Sequence, residues 1–176
     1  MKKIKTITIL AAILLANLCY SQKDSVYISK LVDDMSDKIS YFPSRKMMCS
    51  DDDSKAAFAV SVFMKHQDDQ LRVVNLSIRS TGIGSCLEKD VLIIMFEDDS
   101  KINLVSWNDF NCKGNSWFNV SGSDIEKLST LKIKKVKFQN GRSFESLTKE
   151  ITDDKDYFTQ LFWAIKNNKI KEEKAK

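Results

Sequence analysis

The sequence is poor in the residue types on which most catalytic and metal sites depend. His66 is the only histidine and stands in a charged stretch, and no Gly-x-Ser-x-Gly segment occurs. A nucleophile with an oriented base beside it is therefore not indicated. The four cysteines include no Cys-x-x-Cys pair, and the wide gaps between Cys49, His66, Cys86 and Cys112 argue against a zinc site. We predict a protein that is not an enzyme and needs no metal or cofactor.

Acidic clusters and glycines are present, but not in the order that a known site requires. Residues 51–53 and 97–99 are acidic runs without the spacing and glycine of an EF-hand, and such runs are usually solvated turns. Gly82 and Gly84 lack the third glycine, the lysine and the following helix of a phosphate loop. Nothing in the sequence selects a catalytic pair among the 24 Asp and Glu residues. A small carboxylate-dependent hydrolase is therefore the alternative and not the leading hypothesis.

The N-terminus carries the only apolar run long enough to suggest targeting. Lys2, Lys3 and Lys5 precede the apolar segment 7–18, which is followed by Cys19, Tyr20 and Ser21. This order is typical of a secretory signal peptide, and the apolar segment is too short for a membrane-spanning helix. We predict cleavage after Ser21, with lipid attachment at Cys19 as the alternative, and a periplasmic or secreted protein.

The rest of the chain is nearly neutral. The sequence holds 28 basic and 24 acidic residues, and three of the lysines belong to the predicted leader. No basic field of the size that nucleic-acid binding needs is left, and no later stretch is apolar enough for a membrane helix. We interpret residues 22–168 as one β-rich domain and residues 169–176 as a frayed, lysine-rich tail.

The central stretch predicts a hairpin and a disulfide. Residues 91–96 form an apolar run without alternation, typical of a strand buried on both faces, and residues 101–105 return beside it. A three-residue loop, 98–100, sets Phe96 opposite Ile102 and brings Cys86 opposite Cys112; a two-residue loop, 99–100, misaligns the cysteines. We choose the first register. Export makes a disulfide plausible, so we predict a Cys86–Cys112 bond and a free Cys49.

The segments before this hairpin also fit strands. Residues 26–34 and 36–42 match two short strands or one bent strand, although residues 26–39 match a helix as well. Pro43 ends the element in every interpretation. Strands are predicted at 56–64 and at 71–79, the latter with Val74, Leu76 and Ile78 on one face. Residues 45–55 around Cys49 are interpreted as a polar loop.

The segments after it add a strand, a hairpin and two helices. A short strand is predicted at 116–120, and a hairpin over 133–147 has a three-residue loop that opposes Val136 to Phe144; a two-residue Asn-Gly turn would oppose Val136 to Glu145. Ser123 and Glu126 fit a capping box for a helix that ends near Thr130. Asp153 or Asp154 begins a C-terminal helix with an apolar stripe. The fold class is therefore α+β, an antiparallel β-sheet or sandwich of seven to nine strands with a short capped helix and one C-terminal helix.

Four aromatic residues around Cys112 are the candidate ligand-binding residues: Trp107, Phe110, Trp117 and Phe118. Exposed on a loop, such side chains form a platform for a sugar ring or a protein partner. Buried, they would instead close the open end of a sheet. The sequence alone does not decide between these two roles.

Two segments resemble known proteins. "GIGSCLEKDVLIIMFEDDSKINLVSWNDFNC" and "LSTLKIKKVKFQNGRSFES" resemble a group of small exported β-rich proteins of unknown function in Bacteroidota-type bacteria, over roughly residues 30–165. Residues 33–38 resemble the D-x-M-T-D-K strand pair of small bacterial envelope and phage proteins, which favours strands at the N-terminus. The resemblance implies an exported bacterial domain, and it implies no activity, cofactor or catalytic residue.

We therefore expect an exported, non-enzymatic domain that binds a ligand, either a glycan or a protein partner, in the cell envelope. The alternatives are a small carboxylate-dependent hydrolase, which requires two carboxylates about 5–10 Å apart beside exposed aromatic residues, and a structural accessory protein of the envelope.

Overall fold

The computed structural model describes residues 25–33, 35–36, 38–51, 55–68, 70–84 and 86–173. The predicted leader, with Cys19, lies outside the described residues, as does the end of the predicted tail. Eleven strands and two helices are described, in this order: β1 (Ile28–Asp33), β2 (Lys38–Pro43), β3 (Met47–Ser50), β4 (Ala57–Gln67), β5 (Gln70–Thr81), β6 (Val91–Phe96), β7 (Lys101–Val105), β8 (Asn115–Asn119), α1 (Gly122–Thr130), β9 (Ile133–Gln139), β10 (Ser146–Glu150), α2 (Tyr157–Lys166) and β11 (Ile170–Glu173).

The strands form two sheets, which confirms the α+β class. The large sheet has the order β11-β1-β2-β4-β5-β8, with β3 also paired to β4, and the small sheet has the order β10-β9-β6-β7. Nine of the strands correspond to predicted ones, and the N-terminal segment forms two strands and not a helix. The other two strands correct the sequence interpretation. Cys49 lies in β3 and not in a polar loop, and β11 pairs in parallel with β1 inside the predicted tail.

Alternating apolar residues on β4 build much of the core. Phe58, Val60, Val62 and Met64 are all buried, as side chains two apart on a strand share a face. The ring centroids of Phe58 and Phe138 lie 5.7 Å apart, which brings the two sheets together. Helix α2 closes the core with its own buried residues, Tyr157, Phe158, Leu161 and Ala164.

The register of the β6–β7 hairpin differs from the prediction by two residues. Leu92 pairs with Leu104 and Ile94 with Ile102, so Phe96 faces Ser100, whose carbonyl accepts its amide hydrogen at 3.0 Å. The loop is therefore 97–99, and Asp99 takes the left-handed conformation with φ 65°. Aspartate tolerates this region better than most residues. Strand β6 was predicted to be buried on both faces. It is fully buried on one face only, and the alternate residues on its other face are half-buried.

A β-bulge explains why one predicted core residue is exposed. Phe63 pairs with Asn75 but Met64 pairs with Val73, so Val74 is an extra residue on β5. An extra residue reverses which side chains face inward. Leu76 and Ile78 are buried as predicted, whereas Val74 is 40% exposed, which corrects its predicted place on the buried face.

The first residues of both helices and the loop of the second hairpin also differ from the prediction. The second hairpin pairs Phe138 with Leu147, five positions away from the predicted register, because residues 140–145 form a six-residue loop. Helix α1 is capped by Ser121, whose hydroxyl accepts from the amide of Asp124, and not by Ser123. Helix α2 begins after Asp156, without a side-chain cap.

Candidate ligand-binding face

The predicted disulfide is present and lies beside a short pairing of the two chain segments. Cys86 is bonded to Cys112, and Leu87 and Asn111 exchange backbone hydrogen bonds of 2.7 and 3.1 Å. The prediction was right about the pair although its hairpin register was wrong. Ser106 pairs with Asp90, and Asn111 pairs with Leu87. Fewer residues separate Leu87 from Asp90 than separate Ser106 from Asn111. This difference compensates for the two-residue error in the predicted hairpin register, so Cys86 and Cys112 still meet.

A buried aspartate holds both ends of the aromatic loop between β7 and β8. Asp90 is fully buried, and its carboxylate accepts hydrogen bonds from the hydroxyls of Ser106 and Ser116. The amides of Glu88 and Gly141 donate to the same carboxylate at 3.3 and 3.1 Å. Ser106 and Ser116 directly precede Trp107 and Trp117, so Asp90 fixes the backbone from which both indoles extend. Asp90 is not predictable from the sequence, because a single acidic residue before an apolar strand forms no recognisable pattern.

The four predicted platform residues do not lie on one surface. Trp107 and Phe110 are 56% and 49% exposed, whereas Phe118 is 0% exposed and belongs to the core. Phe118 is therefore removed from the predicted set, because it follows Trp117 on strand β8 and adjacent side chains point to opposite faces. The guanidinium of Arg142 lies 4.9 Å from the centre of the Phe110 ring.

Trp117 lies on the outer face of the large sheet, beside a shallow cavity of about 190 Å³. We call this cavity the sheet trough; it is lined by Lys46, Ala59, Ser61, Ser77, Ile78, Arg79, Asn115 and Trp117. One cross-strand row on this face contains Ser61, Ser77 and Trp117. The next contains Met48, Ala59, Arg79 and Asn115.

The floor of the sheet trough is low because its residues are small. Ala59, Ser61 and Ser77 lie on the middle strands β4 and β5, with Arg79 beside Ala59 on β5. Lys46 and Trp117 lie at the two sides. Four strands at about 4.8 Å spacing give the rows a span of about 14 Å. The Trp117 ring meets the ring of Phe63 edge-to-face, with 6.3 Å between centroids, so the indole is oriented by a neighbour.

The charged side chains of the sheet trough are both cationic. Lys46 and Arg79 are exposed, and none of the eight lining residues is acidic. Neither residue takes part in the ion pairs found within the described ranges. Lys46 and Arg79 were not predicted as site residues from the sequence, although the alternation of β4 already indicated small side chains on its outer face.

The other residues considered from the sequence lie elsewhere. Cys49 is unbonded and 0% exposed, and burial, with a smaller effect of Asp154, raises its thiol pKa to about 12. Burial is the larger of these two causes. His66 stacks on Tyr41 with 5.9 Å between ring centroids. Within the described ranges no group of three or more His, Cys, Asp and Glu residues is placed to hold a metal ion.

Comparisons with known proteins give no relative for this chain. No family model matches it, and no match was found among curated proteins or solved structures. Among the helices described, none has the length and apolar character needed to cross a membrane.

Proposed function

We propose that this chain is an exported, non-enzymatic domain that binds a ligand or protein partner of the cell envelope on the outer face of its large sheet. The observation that carries the proposal is the sheet trough, where a half-buried tryptophan, two cations without an ion pair among the described residues, and small floor residues occur together. Surfaces used for recognition are enriched in tryptophan and arginine.

The construction of the aromatic loop supports the proposal. The disulfide, the Leu87–Asn111 pairing and the Asp90 hydrogen bonds all restrain the segment that precedes Trp117. The Trp117 amide also donates to the side-chain oxygen of Asn108 at 2.8 Å. A binding residue held in this way loses little conformational freedom when a ligand arrives, which favours affinity.

The sheet trough offers no support for the hydrolase alternative at this position. That mechanism needs two carboxylates beside the aromatic residues, and the lining residues include none. The predicted leader and the disulfide support export, since disulfides persist in oxidising compartments.

The proposal is tested by removing one indole at a time. We expect Trp117→Ala, in protein comprising residues 22–176, to lose the partners that the wild type captures from an envelope extract, because the indole borders the sheet trough. Trp163→Ala is the matched control, since Trp163 is exposed on α2 and is not among the residues lining the sheet trough. Trp107→Ala measures the contribution of the loop. Identical partner lists for the wild type and for Trp117→Ala would refute the proposal.

A further inference from the structure

We infer that the ligand of the sheet trough is an acidic oligosaccharide, one whose sugar units carry carboxylate groups; the inference rests on the proposed function. The charge of this face favours an anionic ligand. The chain has 24 acidic residues, yet three consecutive rows on this face contain none. The third row is Phe63, Asn75 and Asn119, beside the two rows that line the sheet trough.

Both cations on this face are exposed and could contact a ligand. Lys46 continues the row of Ser61 and Ser77, and Arg79 lies in the adjacent row, next to Ala59. Both are exposed, and no carboxylate among the described residues lies within ion-pair distance of either. A guanidinium binds a carboxylate through two parallel hydrogen bonds, and an ammonium adds a point charge. Two anionic groups on one ligand can therefore be neutralised on neighbouring rows.

The uncharged groups suit a sugar. The hydroxyls of Ser61 and Ser77 and the amide of Asn115 can both donate and accept hydrogen bonds, as sugar hydroxyls require. The indole of Trp117 supplies an apolar surface with fixed orientation. The cavity of about 190 Å³ is smaller than typical enclosed sites for small molecules. It therefore suits part of a longer chain that lies across the rows.

An acidic peptide is disfavoured by the position of the sheet trough. Extended peptides commonly bind by adding a strand to a free sheet edge, where backbone groups are available. The middle of the sheet trough is formed by β4 and β5, which are paired on both sides. Their backbone groups are already used in the ladders, so a peptide lying on this face would gain side-chain contacts only.

The test compares a carboxylated sugar with its neutral form. Trigalacturonic acid and its fully methyl-esterified form share one carbohydrate backbone and differ in charge. We expect the acid to bind protein comprising residues 22–176 and to quench tryptophan fluorescence, with at least tenfold weaker binding of the ester. Raising the salt concentration is expected to weaken binding of the acid, because exposed charges are screened.

Charge-removing variants locate the contact. Lys46→Gln and Arg79→Gln are each expected to raise the dissociation constant for the acid by about threefold to tenfold. Lys132→Gln is the matched control, because Lys132 is exposed just before β9 of the small sheet, and it is expected to leave binding unchanged. Unchanged melting temperatures confirm that the variants fold.

The outcomes separate this inference from the proposed function. Equal binding of acid and ester, or no effect of Lys46→Gln and Arg79→Gln, overturns the inference. Binding of a hexaglutamate peptide but not of the acid assigns the site to acidic proteins and also overturns it. If neither sugar binds while partner capture still depends on Trp117, the inference fails and the proposed function stands. If capture does not depend on Trp117 either, both fail.

Discussion

Asp90 is the residue on which the geometry of the candidate site depends most. It has no exposure to solvent. Its carboxylate accepts hydrogen bonds from both ends of the aromatic loop and from the loop after β9, and its amide donates to the Ser106 hydroxyl. Burial of a carboxylate is costly unless donors surround it. Here two hydroxyls and two backbone amides supply them, so the residue serves as a fixed anchor for Trp107 and Trp117.

We predict that Asp90→Asn lowers the free energy of unfolding by about 1–3 kcal/mol, because two acceptor oxygens are replaced by one acceptor and a misplaced donor. Urea denaturation measures this loss. Asp109→Asn, in the exposed part of the same loop, is the control and should change stability by less than about 0.5 kcal/mol. Equal stability of both variants would show that Asp90 is not an anchor.

At the scale of elements, β11 differs most from the prediction, because residues 169–176 were interpreted as a frayed tail. It pairs in parallel with β1 at four positions, and Ile170 packs against the core. The amide of Ile28 also donates to the carbonyl of Lys169 at 2.9 Å. The exposed Lys30–Glu172 ion pair adds little, since pairs at the surface are weak. The stabilisation therefore comes from the ladder and from Ile170.

Ending the chain after Asn168 is therefore expected to destabilise the protein by about 1–3 kcal/mol, because a partly buried isoleucine and an edge ladder are removed. The thermal midpoint and the urea midpoint should both fall. A chain ending at Glu173 keeps β11 and is the control. If both truncated proteins unfold at the same midpoint as the full chain, the segment after Asn168 is a dispensable tail, as the sequence alone indicated.

At the scale of the molecule, the disulfide joins the segment before β6 of the small sheet to the segment before β8 of the large one. Cys86 and Cys112 are separated by 26 positions. A cross-link of this span stabilises by about 3–4 kcal/mol in the chain-entropy account. The remaining cysteine, Cys49, is buried in β3 with a thiol pKa of about 12, so it stays protonated and shielded at neutral pH.

Thiol counting checks this arrangement in protein comprising residues 22–176. We expect no reaction with iodoacetamide at pH 8 in the native state, one thiol after denaturation, and three after denaturation with a reductant. The first result follows from the burial and raised pKa of Cys49, and the second from the disulfide. Three thiols without a reductant would contradict the Cys86–Cys112 bond, and one in the native state would contradict the burial of Cys49.

The sequence by itself determined the elements whose signals are local. Period-two alternation located β4, and the apolar run located β6, because burial of one strand face requires that pattern. The alternation stopped being informative at Val74, where the bulge reversed the inward face. Strands β3 and β11 are short and their flanks are polar, so only their pairing with β4 and β1 reveals them.

Only the tertiary structure decided which residues form the sheet trough. Lys46, Ser77 and Trp117 are far apart in the chain, and they become neighbours because β3, β4, β5 and β8 lie side by side. Trp117 and Phe118 were equal candidates in the sequence, and the orientation of β8 places them on opposite faces of the sheet. A local sequence pattern indicates which side chains share a face of one strand, whereas the composition of a binding site depends on the order of several strands in the sheet. That order is set by long-range pairing and by buried anchors such as Asp90.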